Sequence, residues 1–177
     1  LLLVANGRPV RADTLVDAVW GESPPCSAIG TLQSYVSRMR RGFGEGAEAS
    51  LEHVEGGYRL TVEPAAVDAW RFERMVSSGR ALLDGGDPAA ASAVLLEAEA
   101  LWRGPVLPEV VDVEDVRSLA VRLEERRVTA IEDRMTAELA LGHHSAVIGE
   151  LTALVEAHPL REGLRAHVER LVAEARA

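Results

Sequence analysis

The chain contains no lysine: each of its 19 basic residues is an arginine. A glycine pair such as Gly85-Gly86 therefore lacks the lysine and hydroxyl that a phosphate-binding loop needs. There is a single cysteine, Cys26, which excludes an intrachain disulfide framework; beside Pro25 it reads as an ordinary packed thiol rather than a nucleophile. Aromatic residues make up 4%, and Trp20, Trp70 and Trp102 are too scattered to form a base-stacking platform, so they are assigned to packing. No apolar run is long enough to cross a membrane, and no charged-then-apolar signal opens the chain, so no membrane role and a cytoplasmic location are expected. The absence of lysine beside abundant alanine fits a GC-rich genome rather than a functional demand.

What is present is 47% apolar residues over 177 positions, enough for one medium or two small cores, and a net charge of -9. The charge is uneven. Residues 1–62 hold 6 arginines against 7 acids, and the remainder holds 13 against 21, so the excess of acid lies almost wholly in the later part.

The segment Thr31-Leu-Gln-Ser-Tyr-Val-Ser-Arg-Met-Arg-Arg41 carries the most information. At about 100° per residue, Ile29, Leu32, Val36, Met39 and Phe43 form one stripe, which predicts a buried face. Thr31, Ser34, Ser37, Arg38 and Arg41 fall opposite, and that face suits DNA. Small hydroxyl residues let a helix enter the major groove, and arginine there can bond guanine or grip a phosphate. Upstream, Leu15, Val16, Val19 and Trp20 recur at helical spacing and Gly21 ends the helix. Glu22-Ser-Pro-Pro-Cys-Ser27 connects the two, with Ser27 as the expected N-cap. Downstream, Leu51–Val62 predicts two strands joined at Gly56-Gly57, with Tyr58, Leu60 and Val62 alternating with Arg59 and Thr61. A hairpin directly after a recognition helix is a wing. Arg38, Arg40, Arg41 and Arg59 then gather on helix and wing, which matters more for docking than the net charge.

The remainder reads as helices joined by short turns. Asp68 is expected to cap a helix carrying Phe72, Met75, Val76 and Leu82; Asp87-Pro88 starts a second, with Ala91, Val94, Leu95, Ala98 and Leu101 inward. A long helix from about Glu114 to Leu141 buries Val116, Leu119, Leu123, Ile131, Met135 and Leu139, and two more helices follow. Gly86-Asp-Pro-Ala-Ala90 with Leu95 recurs 56 positions later as Gly142-His-His-Ser-Ala146 with Leu151, a weak repeat of the tetratricopeptide kind. Stacked helix pairs of that kind offer surfaces to proteins, and the duplex would repel their excess of acid. His143 and His144 are neighbours that point apart and are expected as exposed turn residues, not metal ligands. Glu124-Glu125 and Glu132-Asp133, set among Arg122, Arg126, Arg127 and Arg134, predict helix-surface ion pairs rather than catalytic carboxylates. No active site, cofactor or metal is expected.

The run from Arg8-Pro-Val-Arg to Trp20-Gly, with Thr31–Arg41 and Gly57-Tyr-Arg-Leu60, resembles the winged helix of the Streptomyces antibiotic regulatory proteins. Asp68-Ala-Trp-Arg-Phe-Glu-Arg74, Leu101-Trp-Arg-Gly-Pro105, Arg122-Leu-Glu-Glu-Arg126 and His158-Pro-Leu-Arg161 are similar to that family's bacterial transcriptional activation domain. The expected fold is mainly α: a winged helix-turn-helix domain over 1–63, then an all-α tetratricopeptide-like helical-repeat domain over 66–177. The family's winged helix opens with a small sheet, whereas Leu1–Asn6 looks like the end of a helix, so the start is expected to be missing. The chain also ends while a helical repeat is running, which leaves room for a later domain, such as the nucleotide-binding domain of some larger relatives. Gly44–Ser50, between recognition helix and wing, is expected to be flexible and acidic.

By that resemblance the chain would be an activator of a secondary-metabolite, antibiotic-type gene cluster. It would bind direct repeats in double-stranded promoter DNA as a homodimer and contact RNA polymerase holoenzyme through its sigma factor or alpha subunit. The DNA contacts expected are Thr31, Gln33, Ser34, Tyr35, Ser37, Arg38, Arg40, Arg41 and Arg59, with Arg38 at the family's groove-facing arginine. Residues alone reach only a sequence-specific DNA binder joined to a protein-interaction module. The alternative is a helical-repeat adaptor or ligand sensor whose winged helix mediates protein contact.

Overall fold

A computed structural model describes residues 1–44, 48–110, 113–158, 162, 164–166 and 168–169. The expected acidic linker therefore lies partly outside the described residues, at 45–47. The elements are β1 (Val10–Arg11), α1 (Ala12–Trp20), α2 (Ala28–Phe43), β2 (Ala49–Val54), β3 (Gly57–Val62), α3 (Asp68–Asp84), α4 (Pro88–Glu99), α5 (Glu114–Ala140) and α6 (His144–Ala157), with one-turn 3-10 helices at Pro64–Ala66 and Pro108–Val110. Two compact units result, one of residues 1–68 with 106–121 and one of 69–105 with 122–177. The fold is a winged helix-turn-helix followed by a helical-repeat domain.

In the first unit Leu15 and Val16 of α1 pack with Ala28, Leu32 and Val36 of α2, and Leu51 and Tyr58 of the hairpin close the core. The three strands are ordered β1-β3-β2, all antiparallel. Leu1–Asn6 form consecutive hydrogen-bonded turns, with Ala5 N–H donating to Leu1 O at 2.8 Å, and the chain leaves them through Asn6 and Gly7 at φ 49° and 76°.

Several expectations change here. Of the apolar stripe on α2 only Leu32 and Val36 are buried, while Ile29, Met39 and Phe43 stay 52%, 41% and 37% exposed. Leu15, Val16, Leu51 and Tyr58 pack on Leu32 and Val36, in the middle of the stripe. Cys26 is exposed rather than packed. Ser27 precedes α2 but its side chain caps nothing; its carbonyl accepts from Thr31 N–H at 2.9 Å. The hairpin turns at Glu55-Gly56 rather than Gly56-Gly57, because Gly57 is already paired with Val54 and, on its other edge, with Arg11. Ala49 and Ser50 belong to β2, opposite Val62 and Thr61.

In the second unit Asp87 accepts from Ala90 N–H at 3.0 Å, with Pro88 opening α4, so that cap forms as its chemistry dictates. The internal repeat is a repeat of geometry. Gly86 and Gly142 have φ 80° and 81°, and both helices end in the same pair of bonds: Asp87 N–H to Leu82 O with Gly86 N–H to Leu83 O, and His143 N–H to Glu138 O with Gly142 N–H to Leu139 O. Buried Ala91 and Leu95 then correspond to buried Val147 and Leu151. Met135, Leu139, Val147, Leu151 and Leu164 share one core. Leu119 is only half-buried, unlike its expected neighbours on α5.

Several charges of α5 work across helices, which corrects the surface-pair expectation for Arg122, Arg126, Asp133 and Arg134. Arg122 pairs with Glu73, Arg126 Nη2 donates to Ser77 Oγ at 3.2 Å, and Arg80 reaches Asp133 at 2.6 Å. The partner numbers rise together, so α3 and α5 run parallel, as alternate helices of stacked pairs do. Arg134, 12% exposed, bridges Glu99 of α4 and Glu150 of α6, each at 2.5 Å. Burial opposes its charge, but the bonds to Glu99 and Glu150 outweigh that and raise its pKa. Asp133 is itself buried, whereas Arg127–Glu124 at 3.9 Å and Arg117–Glu114 at 3.3 Å are pairs of the kind expected along the helix surface. Ser92 first, then His143, hold the Glu138 carboxyl below its usual range. His143 is exposed, whereas His144 is half-buried and opens α6.

Gly79 marks a close approach of α3 and α4. A Cβ there would stand 2.5 Å from Cγ of fully buried Leu95. Gly79→Ala should therefore lower stability by about 1–3 kcal/mol through overpacking, outweighing the gain of under about 1 kcal/mol in helix propensity. Gly149→Ala, in α6 with nothing within 4 Å of the new Cβ, should be neutral or stabilising. Chemical denaturation of both variants tests this; equal responses would refute the contact.

Candidate nucleic-acid interface

The 16 residues of α2 include Arg38, Arg40 and Arg41 and no acid. Ala28, Leu32 and Val36, four residues apart, form its buried line. By helical geometry Gly30, Ser34, Ser37 and Arg41 run along the opposite crest, bordered by Tyr35 and Arg38 on one side and Gln33 and Arg40 on the other. Gln33, Ser34, Tyr35, Ser37, Arg38, Arg40 and Arg41 are exposed, and Thr31 is half-buried. The crest is low, since glycine and two serines hold most of it. Arg40 and Arg41 in the last turn also complement the negative end of the helix dipole.

Local contacts give these side chains distinct roles. Ser34 Oγ donates to Gly30 O at 3.0 Å, which spends its hydrogen on the helix and leaves oxygen lone pairs outward. Tyr35 stacks on Trp20, the last residue of α1, with ring centroids 6.2 Å apart and planes 16° from parallel. The Arg38 guanidinium lies 4.9 Å above the same Tyr35 ring, so Trp20, Tyr35 and Arg38 form a tier that limits where Arg38 can swing. Arg41 Nε contacts Ser37 O at 3.4 Å. Arg40 Nε donates to the Leu51 carbonyl of β2 at 2.6 Å, a half-buried bond.

On the hairpin, Leu51, His53, Tyr58 and Leu60 share the core face, with His53 edge-on to Tyr58 at 5.3 Å. Glu52 and Arg59 pair on the other face. Arg59 is half-buried, and its Nε has no hydrogen-bond partner among the described residues. Arg11 is not such a cation, because Asp13 binds it at 2.5 Å. That hydrogen bond is the main reason the Asp13 carboxyl falls to about 2.

The fold thus gathers Thr31, Gln33, Ser34, Tyr35, Ser37, Arg38 and Arg41 on one helix surface and sets Arg59 apart on the hairpin. Trp20 was assigned to packing from sequence, and nothing in its spacing signals that it backs Tyr35. Among the described residues no three His, Cys, Asp or Glu side chains stand together as a metal site, and no helix is long and apolar enough to cross a membrane.

Residues 67–177 match the family described as the bacterial transcriptional activator domain. The chain is 37% identical over 172 residues to regulatory protein DnrI of Streptomyces peucetius, covering 93% of this chain and 63% of that protein. It is 40% identical over 166 residues to transcriptional regulator RedD of Streptomyces coelicolor, covering 91% of this chain and 47% of that protein. The solved structure of Mycobacterium tuberculosis EmbR in complex with a low affinity phosphopeptide has a TM-score of 0.86 at 37% identity, over 96% of this chain and 46% of that one. The chain thus spans 63%, 47% and 46% of the length of these three relatives, of which DnrI is a regulatory protein and RedD a transcriptional regulator by name. With residues 67–177 matched to the activator domain and these regulators aligned along nearly its whole length, the chain belongs to the family of Streptomyces antibiotic regulatory proteins.

Proposed function

We propose that this chain binds promoter DNA through α2 and the hairpin and activates transcription through its helical domain. The observation that carries the reading is α2 itself, an acid-free helix with a low crest of glycine and serine edged by arginines. Laid in the major groove, Arg38 reads a guanine edge, and Thr31, Gln33, Ser34 and Ser37 contact bases or nearby phosphates. Ser34, its hydrogen held by Gly30, acts there as an acceptor and favours an exposed amino group of cytosine or adenine. Arg41 and Arg59 grip the backbone through their guanidinium groups. The acidic helical domain stays off the duplex and serves homodimerisation on direct repeats and contact with RNA polymerase holoenzyme, through its sigma factor or alpha subunit. The target is the promoter of a secondary-metabolite gene cluster.

Titrating the chain against its own upstream region in a gel shift tests the reading. Arg38→Ala should weaken the specific site by about 1–3 kcal/mol and random duplex much less. Equal weakening on both would reduce Arg38 to a phosphate contact. No shift on any duplex would favour the adaptor or sensor role.

A further inference from the structure

We infer that Arg40 is a positioning residue that holds the wing at its distance from the recognition helix and acts on DNA through Arg59 rather than by contact of its own. The inference rests on the proposed DNA-binding role of this face. Three observations carry it. Arg40 continues the four-residue spacing of Ala28, Leu32 and Val36, so it leaves α2 at the border of the buried line, turned from the Arg38 side. Its Nε donates to the Leu51 carbonyl at 2.6 Å across 11 residues of chain, and a cation-to-carbonyl bond that is half-buried is both stronger and harder to exchange for water than an exposed one. Leu51 is fully packed and pairs with Leu60, the neighbour of Arg59, so the strand that Arg40 holds is the one registered against the wing arginine.

The bond also bypasses the acidic linker between α2 and β2. Leu51 and Tyr58 already pack with Leu32 and Val36, and the Arg40 bond adds a directional fix to that apolar contact. Anchored by Arg40, β2 holds the strand that bears Arg59 in one position against α2. Arg38, Arg41 and Arg40 are alike in sequence but differ in use: the first is tiered on Tyr35, the second lies on the crest, and the third is committed to the hairpin backbone.

A double-substitution cycle on the full chain tests this, using a duplex that the protein itself enriches from a random-sequence pool. Arg40→Met keeps the aliphatic stem and removes only the donor. It should weaken binding about tenfold and lower the salt slope by about one unit, the same change that Arg59→Ala makes alone. The two together should be no worse than either within about twofold, whereas Arg40→Met with Arg38→Ala should multiply. In the protein without DNA, Arg40→Met should speed amide hydrogen exchange across Ala49–Val62 while the exchange of α4 is unchanged. Multiplying losses of Arg40→Met and Arg59→Ala would make Arg40 an independent phosphate contact and overturn the inference, as would unchanged exchange in the hairpin. Those failures are separable from failure of the DNA-binding role, which would show as a wild-type chain that enriches no duplex.

Discussion

Gly57→Ala is expected to lower stability by about 3 kcal/mol and to abolish specific DNA binding, the largest effect of any single methyl added to the wing. A Cβ at Gly57 would stand 2.0 Å from Val10 O and 2.8 Å from Arg11 Cα, and both are backbone atoms that no rotamer change can move. Relief requires β1 to part from β3, losing the pairing of Val10 with Tyr58 and Arg11 with Gly57. Because β1 runs straight into α1, the first helix would shift with it. Gly56→Ala provides the contrast. That glycine has φ 75° but open space around it, so alanine there should cost only about 1–2 kcal/mol of left-handed strain. Thermal unfolding and gel shifts on the two variants decide the matter, and a Gly56→Ala defect equal to or larger than that of Gly57→Ala would contradict the close strand approach.

Phe72→Ala should cost about 3–5 kcal/mol in the helical unit, because the ring is 2% exposed and its loss leaves a cavity. Phe72 also meets Trp102 edge-on, centroids 5.4 Å apart and planes at 86°, while the Arg127 guanidinium sits 4.7 Å over the same indole. Truncation therefore removes burial and a favourable ring contact together. Faster hydrogen exchange through α3 and a change in Trp102 emission are the readouts. Leu96→Ala, at a side chain 58% exposed, should stay within about 0.5 kcal/mol and serves as the reference. Similar destabilisation by both would show that Phe72 does not anchor this core.

Much of the architecture could be read along the chain because its signals are local. The Asp87-Pro88 cap, the long α5 and the twin glycine ends at Gly86 and Gly142 depend on residues within one or two turns of each other. The arginine-bearing face of α2 was legible for the same reason: angular position on a helix follows from spacing alone. The two-residue strand β1 was not legible, since Val10-Arg11 is too short for any period and exists only because Gly57 leaves room for it. The turn moved from Gly56-Gly57 to Glu55-Gly56 because register depends on what lies on both edges of β3.

The amino-acid sequence by itself determined the arginine-bearing face of α2, the Asp87 cap, the repeat and the family, all properties of order and spacing. Tertiary structure alone decided which of three near-adjacent arginines is tiered on an aromatic ring and which is bonded to a strand 11 residues on, and sent Arg122, Asp133 and Arg134 of α5 to partners on other helices. The physical reason is reach. A guanidinium on a long side chain can choose among partners several ångströms apart, and only the packing of distant segments places one carbonyl, ring or carboxylate within hydrogen-bond distance and closes off the rest.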